Sequence, residues 1–183
     1  IGFDHQSFLG DDLLTIAAEK AGIIKAHVPV ISGLQEEPVM DVLRKTAEEK
    51  KAPFSTIDES SLEILRSDLE ENRFRYKEEE YDLALLGRHQ IDNAILAIEA
   101  LHTLRENNRI DIDEEEIKKG LRKVKWPGRL ERIYSSPAIF IDGGHNVHGI
   151  RAVKQILPPE DKDKRFLLLG MRADKDYSDV LDE

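Results

Sequence analysis

Few architectures accommodate the rhythm of this chain. Short runs of largely apolar residues, VPVIS at 28–32, YDLALL at 81–86, AIFI at 138–141 and RFLLLG at 165–170, alternate with longer stretches of helical periodicity. Asp11 or Asp12 can cap a helix that ends near Ala21, with Gly22 as its stop. Pro38 suits a first helical position, and Val39, Val42, Leu43 and Ala47 follow on one face until Lys51 to Pro53 break the pattern. RFRYK at 73–77 reads as a strand exposed on one side. Further helices are expected over about Ile91–Arg105 and Asp113–Val124, and from about His148. Trp126, Pro127 and Gly128 interrupt the pattern and mark a domain boundary, giving domains 1–126 and 127–183. Beyond it the order strand, helix, strand, helix predicts a parallel sheet with right-handed crossovers. The fold class is therefore α/β.

Charge and composition narrow the function. A net charge of −10 over 183 residues, with no basic stripe, argues against nucleic-acid binding. The absence of cysteine removes disulfides and thiolate metal sites. No apolar stretch approaches the roughly 20 residues that span a bilayer, so a cytoplasmic protein without a membrane partner is expected. No strong interface patch is visible, and a monomer is expected. The chain opens on IGFDH without methionine, like the end of a strand whose start is missing, and stops within an incipient helix. Both ends lead us to expect a fragment of a longer protein.

Several stretches carry more polar groups than folding needs. Lys20 shares a helix face with Leu13, Ile16 and Ala17. It either snorkels past the stripe to water or sits in a cleft as a neutral amine that can add carbon dioxide to form a carbamate. Asp4 and His5 stand past an apparent strand end, where α/β proteins place ligands, although a surface turn also accommodates such a histidine. Gly87, His89, Gln90 and Asn93 surround a helix start: Asp92 or Asn93 could simply cap it, or the exposed N-terminus could meet an anion or nucleotide. Arg129 offers a planar fork of donors for phosphate, or for a surface carboxylate. In IDGGHNVHG, at 141–149, the glycines allow a tight turn and Asn146 a helix cap, which leaves Asp142, His145 and His148 over. Asp174, Lys175 and Asp176 follow the next apolar run in the same manner.

Taken together, DHQSFLG…IAAEKAGIIK, LLGRHQIDNAILAIEAL, WPGRLE, IDGGHN and LLLG…DKD resemble, in order, the folylpolyglutamate synthase/dihydrofolate synthase family of the Mur ligase superfamily. The resemblance implies the C-terminal part of a Mur-ligase-type central ATPase domain (1–126), followed by the start of a Rossmann-like C-terminal domain (127–183). It implies that His5 is a ligand to Mg2+, and that Lys20 is the N6-carboxylated lysine serving both metal binding and catalysis. It further implies that Asn93, Arg129 and Asp142 hold ATP, and that His145 faces the catalytic cleft near the incoming glutamate. Gly144 and Val147 stand where the family more often has alanine and proline. The family's glycine-rich phosphate loop lies upstream of DH and is not in this sequence.

The activity so implied is an ATP-dependent ligation of L-glutamate to folate through an acyl phosphate, with closure of two domains aligning the substrates. The parent protein would be the enzyme, and these 183 residues alone would be inactive. Two other readings stay open: a Mur-type ligase for another peptide acid, and a nucleotide-binding module without catalysis.

Overall fold

The computed structural model describes residues 12–157, 165–171 and 180–181, the side chain of His148 excepted. The expectations for Asp4, His5 and residues 174–176 lie outside the described residues. Two compact units emerge, Ile1–Glu59 with Ile95–Asp111, and Ser60–Ala94 with Ile112–Glu183.

The first unit begins with α1 (Leu13–Ala21), whose start is fixed by Asp12: its carboxylate accepts from Leu14 and Thr15 N–H. Next come β1 (Val30–Ser32), α2 (Glu37–Glu49) and β2 (Phe54–Thr56). β1 and β2 pair in parallel, Val30 opposite Phe54 and Ser32 opposite Thr56, so α2 is the crossover of a small βαβ unit. Pro38 stands in the first turn of α2, where its missing N–H costs nothing. The helix ends where Lys51 turns left-handed, at φ 51°, and Ala52 N–H reaches back to Ala47 O at 2.8 Å. Ala17, Ala21, Val39, Met40, Leu43 and Ala47 form a dry core. The alanines let α1 and α2 approach closely.

The second unit is built on an antiparallel meander of β3 (Leu62–Ser67), β4 (Asn72–Tyr76) and β5 (Glu79–Leu83). Strand periodicity sorts β4 cleanly: Asn72, Phe74 and Tyr76 are buried, while Arg73 pairs outward with Asp82 at 2.7 Å and Arg75 with Glu63 and Glu80. Phe74 lies directly opposite Tyr81, and their rings stack 5.3 Å apart.

A long helix α3 (Arg88–Glu106) and a shorter α4 (Glu114–Lys123) follow. α4 is tied to β5 by the Tyr81 hydroxyl donating to Glu114, by Lys118 on Glu79 at 2.7 Å, and by Ala84 N–H on Leu121 O. Asp113 and Glu116 form a reciprocal capping box at its start, each carboxylate accepting the other's backbone N–H. Asp113→Ala should therefore lower unfolding free energy by about 1 kcal/mol. The urea midpoint should fall with an unchanged m-value, since no surface is newly exposed.

The chain then forms a hairpin, β6 (Glu131–Ser135) and β7 (Ala138–Ile141), and enters α5 (Val147–Ile156) through an Asn146 cap. Here the structure departs from the expected parallel pairing of 138–141 with 165–170. β7 pairs antiparallel with β6, and residues 165–170 form no strand, with Phe166, Leu167 and Leu168 exposed. The turn joining β6 to β7 spans two residues, Ser136 and Pro137, so closing it costs far less chain entropy than a crossover. Mixed α/β architecture holds throughout, with one parallel and two antiparallel sheets among the described residues. None of the described helices is long and apolar enough to cross a membrane.

Candidate functional site

The loop after β7 is held by backbone hydrogen bonds. Asp142 Oδ2 accepts from Leu130 N–H at 2.8 Å, and its Oδ1 from Gly144 N–H at 2.6 Å. Gly143 N–H donates to Gly128 O at 2.7 Å, and Gly128 N–H to Glu131 Oε2 at 2.9 Å. These bonds clip the 126–130 turn to the 142–144 loop. Gly144 avoids a close approach: a Cβ there would stand 2.8 Å from Asp142 Oδ1 and 3.4 Å from the backbone of Gly149. Glycine here lets the start of α5 close against the loop. Asp142 therefore has a structural task that the sequence did not reveal.

His145 is exposed, with Nδ1 2.9 Å from Gly143 O. A carbonyl only accepts, so Nδ1 carries the proton and Nε2 is the nitrogen presented outward. Arg129 is also exposed and forms no ion pair among the described residues, unlike Arg66, Arg73, Arg75, Arg88 and Arg132.

Opposite this loop stands the start of α3. The helix begins at Arg88, three residues before its expected start, so Asp92 and Asn93 lie inside it and cannot be its caps. Asp92 instead pairs with Arg88 at 3.1 Å, one turn back. The first turn is entered through Gly87 at φ 96°, a left-handed conformation natural to glycine. The His89 imidazole covers this glycine so closely that a Cβ would stand 2.8 Å from Cε1. Beneath, the buried Asn72 amide donates to Leu85 O at 2.8 Å and to Gly87 O at 3.0 Å.

His89 is half-buried, and burial pushes its imidazole below the ordinary value. Arg129 adds to that shift, while Asp142 and Asp92 oppose it. The structure thus gathers Arg129 and Asp142 around His89. Asn93, exposed one helical turn further along, shares its face. Arg129 and Asp142 lie near enough to His89 to act on its charge, and Asn93 stands one turn along the same helix, so a cation and carboxamides share one neighbourhood. That combination suits an anionic, hydrogen-bonding ligand.

Lys20 ends α1 with its side chain exposed, while Ile16 and Ala17 on the same face are buried and Leu13 is half-buried. The described residues hold no group of three His, Asp or Glu side chains that could bind a metal ion. Alone, then, they do not assemble a magnesium centre. The functional neighbour missed from sequence is Asn72. Its signal was there, a polar residue at a buried position in the period-2 pattern of β4.

Comparison with known proteins gives a consistent result. No family model matches the chain. It is 32% identical over 188 residues to the dihydrofolate synthase/folylpolyglutamate synthase of Bacillus subtilis, covering 99% of this chain and 44% of that protein. The folylpolyglutamate synthase of Thermotoga maritima superposes with a TM-score of 0.72 at 31% identity, over 91% of this chain and 40% of that one. The Mycobacterium tuberculosis folylpolyglutamate synthase, crystallised with ADP and AMPPCP, gives 0.66 at 32% identity over 85% and 37%. The chain spans less than half the length of these relatives.

Proposed function

We infer that the chain belongs to the folylpolyglutamate synthase/dihydrofolate synthase family, which it resembles in sequence and fold, and that it supplies the nucleotide-holding part of an ATP-dependent ligase. The observation that carries this reading is the convergence of Arg129 and Asp142 on the start of α3, where His89 and Asn93 stand. The domain division at 126/127 belongs to the same proposal, as do a monomeric state and a cytoplasmic location.

In the full-length enzyme the γ-carboxylate of a folate attacks the γ-phosphorus of ATP, and ADP leaves. The acyl phosphate formed is then attacked by the amine of L-glutamate. An amide forms, inorganic phosphate departs, and the amine's proton is released. Free carboxylate is a poor electrophile, so the phosphoryl transfer is what makes amide formation accessible. This chain's residues serve the first step. Arg129 offers a planar pair of donors to the phosphates, and Asn93 faces the base. The Asp142 loop fixes the turn that carries Arg129. His145, whose Nδ1 is taken up by Gly143 O, is the residue assigned to the neighbourhood of the incoming L-glutamate.

Mg2+, when bound, supplies Lewis-acid neutralisation of phosphate charge. Its proposed ligands here are His5 and a carbamate on Lys20, an assignment supported by the family's motifs alone.

Calorimetric titration of the purified chain with AMPPCP tests the nucleotide reading. Binding is expected, weakened about tenfold by Arg129→Ala through loss of a charge-assisted contact. The same chain given ATP, tetrahydrofolate and L-glutamate should form neither ADP nor a glutamylated folate. AMPPCP binding indifferent to Arg129 would remove Arg129 from the site, and turnover by the isolated chain would overturn the need for further sequence.

A further inference from the structure

The turn that carries Arg129 is tied at each backbone N–H from Gly128 to Leu130. Arg129 N–H donates to Trp126 O at 3.3 Å, and Gly128, at φ 72°, takes the glycine position of this type II turn behind Pro127. Gly128 N–H donates to Glu131 Oε2 at 2.9 Å, and Leu130 N–H to Asp142 Oδ2 at 2.8 Å. Leu130 is left-handed too, at φ 45°, a conformation that leucine holds only where its surroundings impose it. Here its side chain is buried and its N–H is engaged. Arg129 thus stands between two left-handed residues, each with its N–H on a carboxylate. Both carboxylates come from one end of the β6–β7 hairpin, since Glu131 pairs with Ile141 and Asp142 follows it.

We propose that Glu131 is a positioning residue for Arg129: by holding the Gly128 N–H it fixes the turn that displays the guanidinium, and it keeps that guanidinium free for a polyphosphate. The proposal rests on the nucleotide reading above. Glu131 is two residues away from Arg129, and Asp142 acts with Arg129 on the same imidazole. An arginine so placed is ordinarily drawn onto a carboxylate. Backbone donors occupy those carboxylates instead: Glu131 Oε2 and both oxygens of Asp142 accept N–H bonds, and Arg129 forms no ion pair among the described residues. A guanidinium left unpaired meets an anion without first breaking a bond, and a turn already ordered loses less entropy on binding.

Charge and position act in opposite directions at Glu131. Its negative charge by itself repels a polyphosphate, so removing the charge alone should tighten binding. Its hydrogen bond to Gly128 favours binding through Arg129, so removing that bond should weaken it. Glu131→Gln removes only the charge, because the amide oxygen still accepts from Gly128 N–H. Glu131→Ala removes both. Affinity for AMPPCP should therefore be at or above wild type with glutamine and below it with alanine.

Calorimetric titration of the purified chain with AMPPCP reads that order. Glu131→Ala should lose about fivefold, part of the roughly tenfold loss expected for Arg129→Ala. In an Arg129→Ala background it should lose nothing further, whereas general damage to the fold would weaken binding in both backgrounds. In the nucleotide-free wild type, a scalar coupling across the hydrogen bond should join the Gly128 amide nitrogen to the Glu131 carboxyl carbon. That readout also serves if Glu131→Ala folds poorly. Tighter binding by Glu131→Ala, glutamine as weak as alanine, an equal loss with and without Arg129, or absence of the coupling would overturn the proposal. Binding that depends on Arg129 but ignores Glu131 would overturn it and leave the nucleotide reading intact. No binding of AMPPCP by the wild-type chain would overturn both.

Discussion

On the ligase reading proposed above, Lys20→Ala in the full-length protein is expected to cut turnover about 10- to 100-fold, the loss typical when support for a bound metal is removed, while unfolding free energy changes by no more than about 0.5 kcal/mol. The two halves of this expectation have separate causes. Lys20 occupies the last turn of α1 with its side chain exposed, so truncation opens no cavity and frees no buried group. It forfeits a few tenths of a kcal/mol of cation attraction to the helix C-terminus, and alanine's helix propensity offsets part of that. The catalytic loss arises only if the amine is carried as a carbamate. Lys20→Arg distinguishes the cases: it keeps the positive charge but has no amine that can take up carbon dioxide. Arginine should then be as inactive as alanine. Near-normal turnover with either residue would mean that Lys20 only snorkels.

The fold was legible where burial imposed a pattern. α1, α2, α4 and the break after α2 were readable because caps, Pro38 and the periodic apolar face all agree. β4 and β5 were readable because aromatic and aliphatic side chains alternate on one buried face. β3 and β6 were not, since most of their side chains face water and their apolar residues follow no strict period of two. The pairing of β7 differs from the sequence expectation for the same reason. With β6 invisible as a strand, the next apolar run at 165–170 was the only partner in view.

At the site, the residues proposed from motifs have local roles that the motifs do not encode. Arg129, Asn93 and Asp142 were recognisable by motif, and the structure gathers Arg129 and Asp142 around His89, with Asn93 on the same helix face. That Asp142 clips two loops together depends on backbone N–H groups of Leu130 and Gly144, which no side-chain motif encodes. α3 starts three residues before its expected position because Gly87, not a polar side chain, precedes it. A left-handed glycine leaves no capping signature, and its real constraint is the imidazole packed over it.

That helix start depends most on a residue from another element. Asn72→Asp is expected to destabilise the protein by about 3–5 kcal/mol at neutral pH, as an uncompensated buried charge does. Asn72 is almost wholly buried and donates both amide hydrogens to carbonyls, those of Leu85 and Gly87. A carboxylate in its place would set two acceptors against those two oxygens, with no N–H to relieve either. The introduced carboxyl should answer by staying protonated, since the neutral acid can donate one hydrogen bond and avoids desolvating a charge. Its folded pKa would therefore lie above the unfolded value of about 3.9. A folded pKa raised in this way means that the folded state holds the proton over a pH range where the unfolded state has released it. Relative to wild type, the variant should therefore recover stability as pH falls through the folded pKa and lose it as pH rises. Denaturant midpoints of variant and wild type, compared from neutral to mildly acidic pH, measure that convergence. A pH-independent gap would mean that the site relaxes around the charge, and that the amide of Asn72 is not what holds Gly87 at the mouth of α3.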